Sequence, residues 1–352
     1  MSALDWLLED DNPAVQFLTR TRLLGESPGS RRSKHLIARC NTYPPIRRML
    51  DRVDRAVAAG NYKKYEGAYW TLIFLADLHA DGTDPGARRL ADHVLSTQLP
   101  NGGFSASAGQ TNDAWMRGDA ERFEIVCLTA NVLRALVHLG YGNDARIARG
   151  YHRLAERILP HGGVPCRVLD WCMQTSCKMT LPQTLRAVAV APSNVSKRTR
   201  SGLRRTLVEE MLGIHVFRYV RPDLEDFKAA IRNRPKGMRQ CDVRDHWIAK
   251  KPYPPDKLVA KDRWKRFGFP RSYNPDILEA MLALCEVGAP YDPAMEEALE
   301  LIERKRGPDG RWKMEDSLNG KMQAAVERKG AASKWVTFRA LRVLQSYDRL
   351  TI

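Results

Sequence analysis

Asp84-Pro85-Gly-Ala-Arg-Arg-Leu-Ala-Asp-His-Val-Leu-Ser-Thr-Gln98-Leu-Pro-Asn-Gly102-Gly103-Phe104 opens with a helix cap and closes with a glycine turn. The Asp84 carboxylate can accept the free amide protons of a first helical turn, Pro85 fits the first helical position, and Gly102 permits a left-handed exit. The same frame recurs twice. Asp144-Ala145 leads to Pro-His-Gly162-Gly163-Val164, and Asp292-Pro293 leads to Gly-Pro-Asp-Gly310-Arg-Trp312, with 18 residues from the Asp to Gly102, Gly162 and Gly310 in turn. A fixed period of this kind marks a repeated supersecondary unit.

Upstream of each Asp the sequence predicts a more apolar helix: Tyr69 to Leu78, Ile125 to Leu139, and Ile277 to Val287. In the second, Ile125, Leu128, Val132, Leu136 and Leu139 recur at helical spacing and leave few solvent-facing positions. A degraded fourth copy fits Lys178 to Val190 as the apolar helix and Val195 to Leu212 as the basic one. A closing helix is expected from Lys334 to Tyr347, and another begins at Asp11-Asn12-Pro13. The expected fold is therefore all-α, a single domain over 1–352 built from antiparallel helix pairs, apolar helices inside and charged ones outside. Residues 213–270 break the pattern with Pro and charge and are expected to form a basic insertion or lid.

Composition agrees with a globular chain. With 352 residues, 43% hydrophobic and 28% charged, it is neither disordered nor fibrous. The best apolar run, Ile125 to Leu139, is broken by Asn131, Arg134 and His138, short of the roughly 18–20 residues a membrane span requires. The N-terminal residues show no basic region or small-residue cleavage site, so a cytoplasmic location is expected. Cysteines at 40, 127, 166, 172, 177, 241 and 285 form an odd set in a chain long enough to build its own core, which points to free thiols or metal ligands.

An apolar helix, a short Asp-Pro connection, a polar helix and a Gln-x-Pro-x-Gly-Gly-aromatic turn together resemble the repeat of the terpenoid cyclase and protein prenyltransferase superfamily. The carriers are Gln98-Leu-Pro-Asn-Gly-Gly-Phe104 and Lys305-Arg-Gly-Pro-Asp-Gly-Arg-Trp312, over roughly residues 65–190 and 270–347. The resemblance implies an α/α toroid whose inner-helix starts face a substrate cavity. That places Glu66, Tyr69, Trp70, Glu124, Tyr273, Asp276, Trp335 and Thr337 at its mouth, with Trp70, Tyr273 and Trp335 as ligand-contacting candidates. The Asp-x-Asp-Asp acid motif and the Asp-Asp-x-x-Asp magnesium motif are both absent, so the cyclase chemistry is not implied. Asp170-Trp171-Cys172 has the Asp-x-Cys spacing of the prenyltransferase zinc pair, but no His begins a later inner helix. The chain resembles more closely uncharacterised bacterial members with a Cys-Leu-Thr helix, a Gly-Gly-x-x-Cys turn and a Ser-Cys helix start, here Cys127-Leu-Thr, Gly162-Gly163-Val-Pro-Cys166 and Ser176-Cys177.

An array of adjacent helix pairs would bring Cys127, Cys166, Cys177 and His215 to one rim, a thiolate and imidazole set suited to tetrahedral zinc. Asp170 or Cys172 could replace one member and leave an open, catalytic position. Against this stands the plainer reading that Cys127 is core. Glu124, three residues before Cys127, is a candidate acid or base alongside Asp170, and is more simply a charged first-turn residue. Charge is the last signal. The formal net charge is +16, and residues 197–251 hold 15 Lys or Arg against 7 Asp or Glu. Arg200, Arg204 and Arg205, beside a helix N-terminus, are candidates for an anionic group such as a diphosphate or nucleic-acid phosphate, or are a solvated surface. Two functions follow as expectations. One is an α/α toroid binding an apolar or prenyl-type ligand with an anionic group in a central cavity, with zinc as candidate cofactor. The other is a non-enzymatic nucleic-acid- or protein-binding helical scaffold using residues 197–251.

Overall fold

A computed structural model of the chain describes residues 2–106, 124–158, 163–164, 177, 179–220, 228–229, 232–233, 236, 253, 255–272 and 274–350. Two short helices, α1 (Ala3–Leu7) and α2 (Pro13–Leu18, continued by a π-turn over Thr19–Leu23), lead into α3 (Arg31–Cys40), α4 (Pro44–Leu50) and α5 (Val53–Ala58). Then come the pairs: α6 (Ala68–Asp77) with α7 (Pro85–Ser96), α8 (Val126–Leu136) with α9 (Ala145–Glu156), α10 (Thr180–Ala189) with α11 (Lys197–Gly213), and α12 (Ile277–Glu286) with α13 (Glu296–Arg304). The closing helix is α14 (Lys334–Ser346).

The predicted caps are in place. Asp84, Asp144 and Asp292 each accept first-turn amide protons through their carboxylates, and Asn12 rather than Asp11 caps α2. Every residue of α6 and α8 is buried, whereas α7, α9 and α13 bury one stripe. Helices buried all round must lie inside, and one-stripe helices must cover them.

Inner helices pack in chain order, α6 on α8, α8 on α10, α10 on α12 and α12 on α14. The ring closes through α14, which packs on α1 and α2, and through Phe17 of α2, whose ring stacks on His79 after α6 at 4.9 Å. The Gln323 side-chain amide, ahead of α14, adds a second clasp by donating to the Glu66 carbonyl and the Thr71 hydroxyl, both at 2.9 Å. This is an α/α toroid.

The glycine turns explain the repeat physically. After each turn one residue pairs with the start of the next inner helix: Ile125 N–H donates to the Phe104 carbonyl at 3.1 Å, Cys177 to Val164 at 2.7 Å, and Ser333 to Trp312 at 2.9 Å. In two copies a threonine in the next inner helix accepts the aromatic residue's amide, Phe104 to Thr129 and Trp312 to Thr337, each at 2.9 Å. Gly103 is required by close approach. A Cβ there would stand 2.6 Å from the Glu124 carboxyl carbon.

Within the 213–270 segment, β1 (Arg218–Val220) pairs antiparallel with β2 (Leu258–Ala260), Arg218 opposite Ala260. Most of the residues between these strands lie outside the described residues. Among the described residues no helix is long and apolar enough to cross a membrane.

Candidate functional site: a buried charge cluster among the inner helices

Five inner helices each carry a charged side chain to one buried cluster. The Asp77 Oδ1, at the end of α6, accepts from Arg134 of α8 at 2.8 Å and from Arg186 of α10 at 3.1 Å. Arg186 reaches on to Glu279 of α12 at 2.6 Å, and Gln183 donates to the same carboxylate at 3.2 Å. Arg339 of α14 stands 3.7 Å from Glu279. All five charged residues are buried.

Burial raises the Asp77 carboxyl, but the three guanidiniums around it outweigh that and hold it below its ordinary value. Arg134 and Arg339 are pulled down, first by burial and then by repulsion from Arg186. Arg186 goes the other way. Burial opposes its charge, yet Glu279 and Asp77 together raise it.

The cluster continues toward the inner-helix starts. Asp276 caps α12, accepting the Glu279 and Gly268 amides at 2.8 and 2.9 Å, with Arg271 Nε at 3.4 Å. Burial pushes its carboxyl up to about 6, Arg271 pulling against this and Glu279 adding to it. Arg271 also donates to Asp316 at 2.8 Å.

Arg339 differs from its neighbours. Among the described residues its guanidinium makes no hydrogen bond; it lies over the Phe269 ring at 4.4 Å, and Phe269 is stacked on Trp335 at 4.2 Å. An arginine presents five N–H donors in a planar fork. Held by one loose ion pair and one aromatic face, this one has its donors available to an acceptor.

The residues singled out in the sequence are placed as follows. Trp335 is the ring stacked on Phe269 at 4.2 Å. Trp70 is packed between Tyr62 and Tyr65, its indole donating to the Tyr62 carbonyl at 3.3 Å. Glu124 is 1% exposed and held by three contacts from Arg153, the shortest 2.6 Å, with Asn101 at 3.4 Å. It ties the glycine turn to α9, which is neither the acid or base role nor the first-turn role read from the sequence. Cys127 is buried in the first turn of α8, Cys177 is partly buried before α10, and His215 is exposed with left-handed φ of 46° after α11. Among the described residues, no three His, Cys, Asp or Glu side chains converge in a way that could hold a metal ion. Cys127, Cys177 and His215 therefore do not form a cluster by themselves. Cys166, Asp170, Cys172 and Tyr273 lie outside the described residues.

The arginines of α11 have a structural explanation. Arg204 donates through Nε and Nη2 to the carbonyls of Val287 and Gly288, both at 2.7 Å, capping the far end of α12. Arg200 and Lys197 line a cavity of about 310 Å³ with Val188, Glu286 and Val287, between the ends of α10 and α12. Cations that oppose the dipole of their own helix thus face the carbonyl ends of two others, where the local field favours them. Arg205 is exposed. The nucleic-acid reading gains no support from these contacts.

What the sequence reasoning missed is the cluster itself. Its signal was a charge within a mostly apolar inner helix, clearest in Arg134 and Arg186 and less so in α12 and α14, which carry further charges at Glu286, Lys334 and Arg342. Arg134 was noticed only as a break in a hydrophobic run.

No protein-family model matches the chain, and no curated protein does. Solved structures similar to it include unsaturated glucuronyl hydrolase from Bacillus sp. GL1, at 12% identity and TM-score 0.44 over 98% of this chain and 89% of that one. A protein from Actinoplanes is similar at 16% identity and TM-score 0.35, over 85% and 97%. A type II terpene cyclase from Scytonema, in complex with its substrate geranylgeranyl dihydroxybenzoate, is similar at 12% identity and TM-score 0.31, over 86% and 98%. At these values the likenesses carry no functional argument, and the toroid rests on this chain's own helix packing.

Proposed function

We propose that this chain is a ligand-binding α/α toroid whose interior takes a molecule with an apolar, prenyl-type body and an anionic group. Arg339 is the anion contact, and Phe269 and Trp335 are the apolar wall beside it. The observation that carries this reading is the Arg339 guanidinium, 5% exposed, without a hydrogen bond among the described residues and no nearer than 3.7 Å to Glu279. A guanidinium in a poorly solvated interior whose nearest carboxylate is 3.7 Å away is weakly matched in charge, and an anionic acceptor delivered by a ligand would match it. Aromatic rings beneath and beside the guanidinium favour an apolar body next to the anion.

Binding is tested by following tryptophan fluorescence of the full chain during titration with prenyl-chain amphiphiles. Saturable binding that Arg339→Gln weakens supports the reading; no saturable change with any of them refutes it. Whether bound ligand is turned over is read from product analysis in the same samples.

Zinc is a separate proposal: because Cys127, Cys177 and His215 do not come together, a site would keep at most two of them and take its other ligands from Cys166, Asp170 or Cys172. Elemental analysis decides it: about one zinc per chain, lost in Cys177→Ala, would support the site, and no zinc in the wild-type protein would remove it.

A further inference from the structure

We infer that the anionic group received beside Arg339 is a single carboxylate and not a diphosphate. The inference rests on the ligand-binding reading above and narrows it by counting charge. Arg134, Arg186, Arg271 and Arg339 are each at most 6% exposed, and so are the carboxylates Asp77, Asp276 and Glu279. Four buried guanidiniums thus stand against three buried carboxylates. Two further acids act on these arginines from less buried positions: Asp316, with a side chain 22% exposed, is held by Arg271 at 2.8 Å and approached by Arg263 at 3.9 Å, and the exposed Glu286 attracts Arg134 and Arg186.

The buried excess is therefore one positive charge, and it falls at the guanidinium least engaged by a carboxylate. Asp77 and Glu279 are already spent on Arg134 and Arg186 at 2.6 to 3.1 Å. In a poorly solvated interior an unmatched charge is expensive, and the cost is removed when one opposite charge arrives. A carboxylate supplies one. It also matches the planar fork of an arginine with two acceptor oxygens, and the stacking of Arg339 on Phe269 restricts the orientation of that fork.

A diphosphate ester brings about three negative charges at neutral pH and would turn the excess of one positive charge into an excess of two negative charges. The nearby lysine of α14 cannot correct this. Lys334 is held by Glu9 at 2.8 Å and by Asp11. Nor, among the described residues, does the cluster offer an acidic pair free to bring in a divalent cation: Asp77 Oδ1 and Glu279 are engaged by arginines and Asp276 by backbone amides, which leaves Asp77 Oδ2 as a single unpaired oxygen.

The test uses the full chain and probes that share one prenyl chain: farnesoic acid, farnesyl diphosphate and farnesol, titrated at neutral pH by calorimetry. The acid is expected to bind tightest, by roughly tenfold or more over both others, and Arg339→Gln is expected to erase its advantage over the alcohol. Tightest binding by the diphosphate overturns the inference and leaves the ligand-binding reading standing. Equal binding of acid and alcohol to wild-type protein removes Arg339 as the anion contact. Binding by none of the probes refutes the ligand-binding reading together with this inference. The wild-type ranking stands even if the variant fails to fold.

Discussion

Protonation of His138 should cost the folded protein up to about 3 kcal/mol as pH falls from 7 to 4, and removing that one imidazole should make the cost disappear. His138 follows α8, its ring 4.4 Å from that of His79, which in turn stacks on Phe17. Its Nε2 lies 3.1 Å from the Ala80 carbonyl, a contact that requires the proton on that nitrogen. Burial and the neighbouring Arg134 charge depress its pKa from 6.5 to about 4, despite the opposing pull of Ala80, Asp77 and Asp81. The unfolded chain therefore binds a proton through a range in which the folded chain refuses one. Stability from this group is complete above about 6.5 and is lost as pH falls toward 4, at about 1.4 kcal/mol per unit. Asp276 has the opposite sign, since its raised pKa of about 6 favours folding below 4 and loses that contribution as pH rises through 6. A wild-type pH profile alone would mix these with His79, whose imidazole is also pushed down by burial and by His138. The informative quantity is the difference in unfolding free energy between wild type and His138→Gln, measured by urea denaturation at several pH values. Glutamine retains a donor for Ala80. That difference should shrink by about 3 kcal/mol from pH 7 to pH 4. A difference that stays constant with pH would show that His138 titrates normally, and the account of its burial beside Arg134 would be wrong.

Gly103→Ala should destabilise by about 2–3 kcal/mol in the same assay, because its Cβ meets the Glu124 carboxyl that Arg153 pins. Gly202→Ala, in the body of α11 with no atom near its added carbon, should instead stabilise by about 1 kcal/mol. Thr129→Val and Thr337→Val should each cost about 1–2 kcal/mol by orphaning the Phe104 and Trp312 amides, and a loss at one site only would break the claimed equivalence of the two turns. Glu279→Gln should cost about 3–5 kcal/mol by leaving Arg186 and Arg339 without their common carboxylate, and a melting temperature within a degree of wild type would contradict the cluster.

The repeat was legible because its information is local. An Asp cap acts within three residues and a glycine exit within one, so Asp84, Asp144 and Asp292 could be read directly from their neighbours and found capping as expected. Helix edges moved little, the closing helix ending at Ser346 rather than Tyr347. The first helices were harder. Among α1 to α5 only the start of α2 was anticipated, since these short helices lack the period that carried the others. Ring closure was not legible either, because Phe17 meeting His79 and Gln323 reaching Glu66 join residues far apart in sequence.

The charge cluster shows why function was the least legible level. Asp77, Arg134, Arg186, Glu279 and Arg339 are separate exceptions in separate helices, and each alone reads as a residue turned to solvent. Only the parallel stacking of inner helices turns those exceptions inward together. An apolar ring interior would have been simpler to assemble, because a buried ion pair often contributes no more to stability than packed hydrocarbon of the same volume. Stability therefore does not account for Arg339, which adds a third guanidinium where Asp77 and Glu279 already match Arg134 and Arg186. The proposed ligand would supply the charge that the fold leaves over, and the place of Arg339 against Phe269 and Trp335 is why that proposal gives it one anionic end and one apolar one.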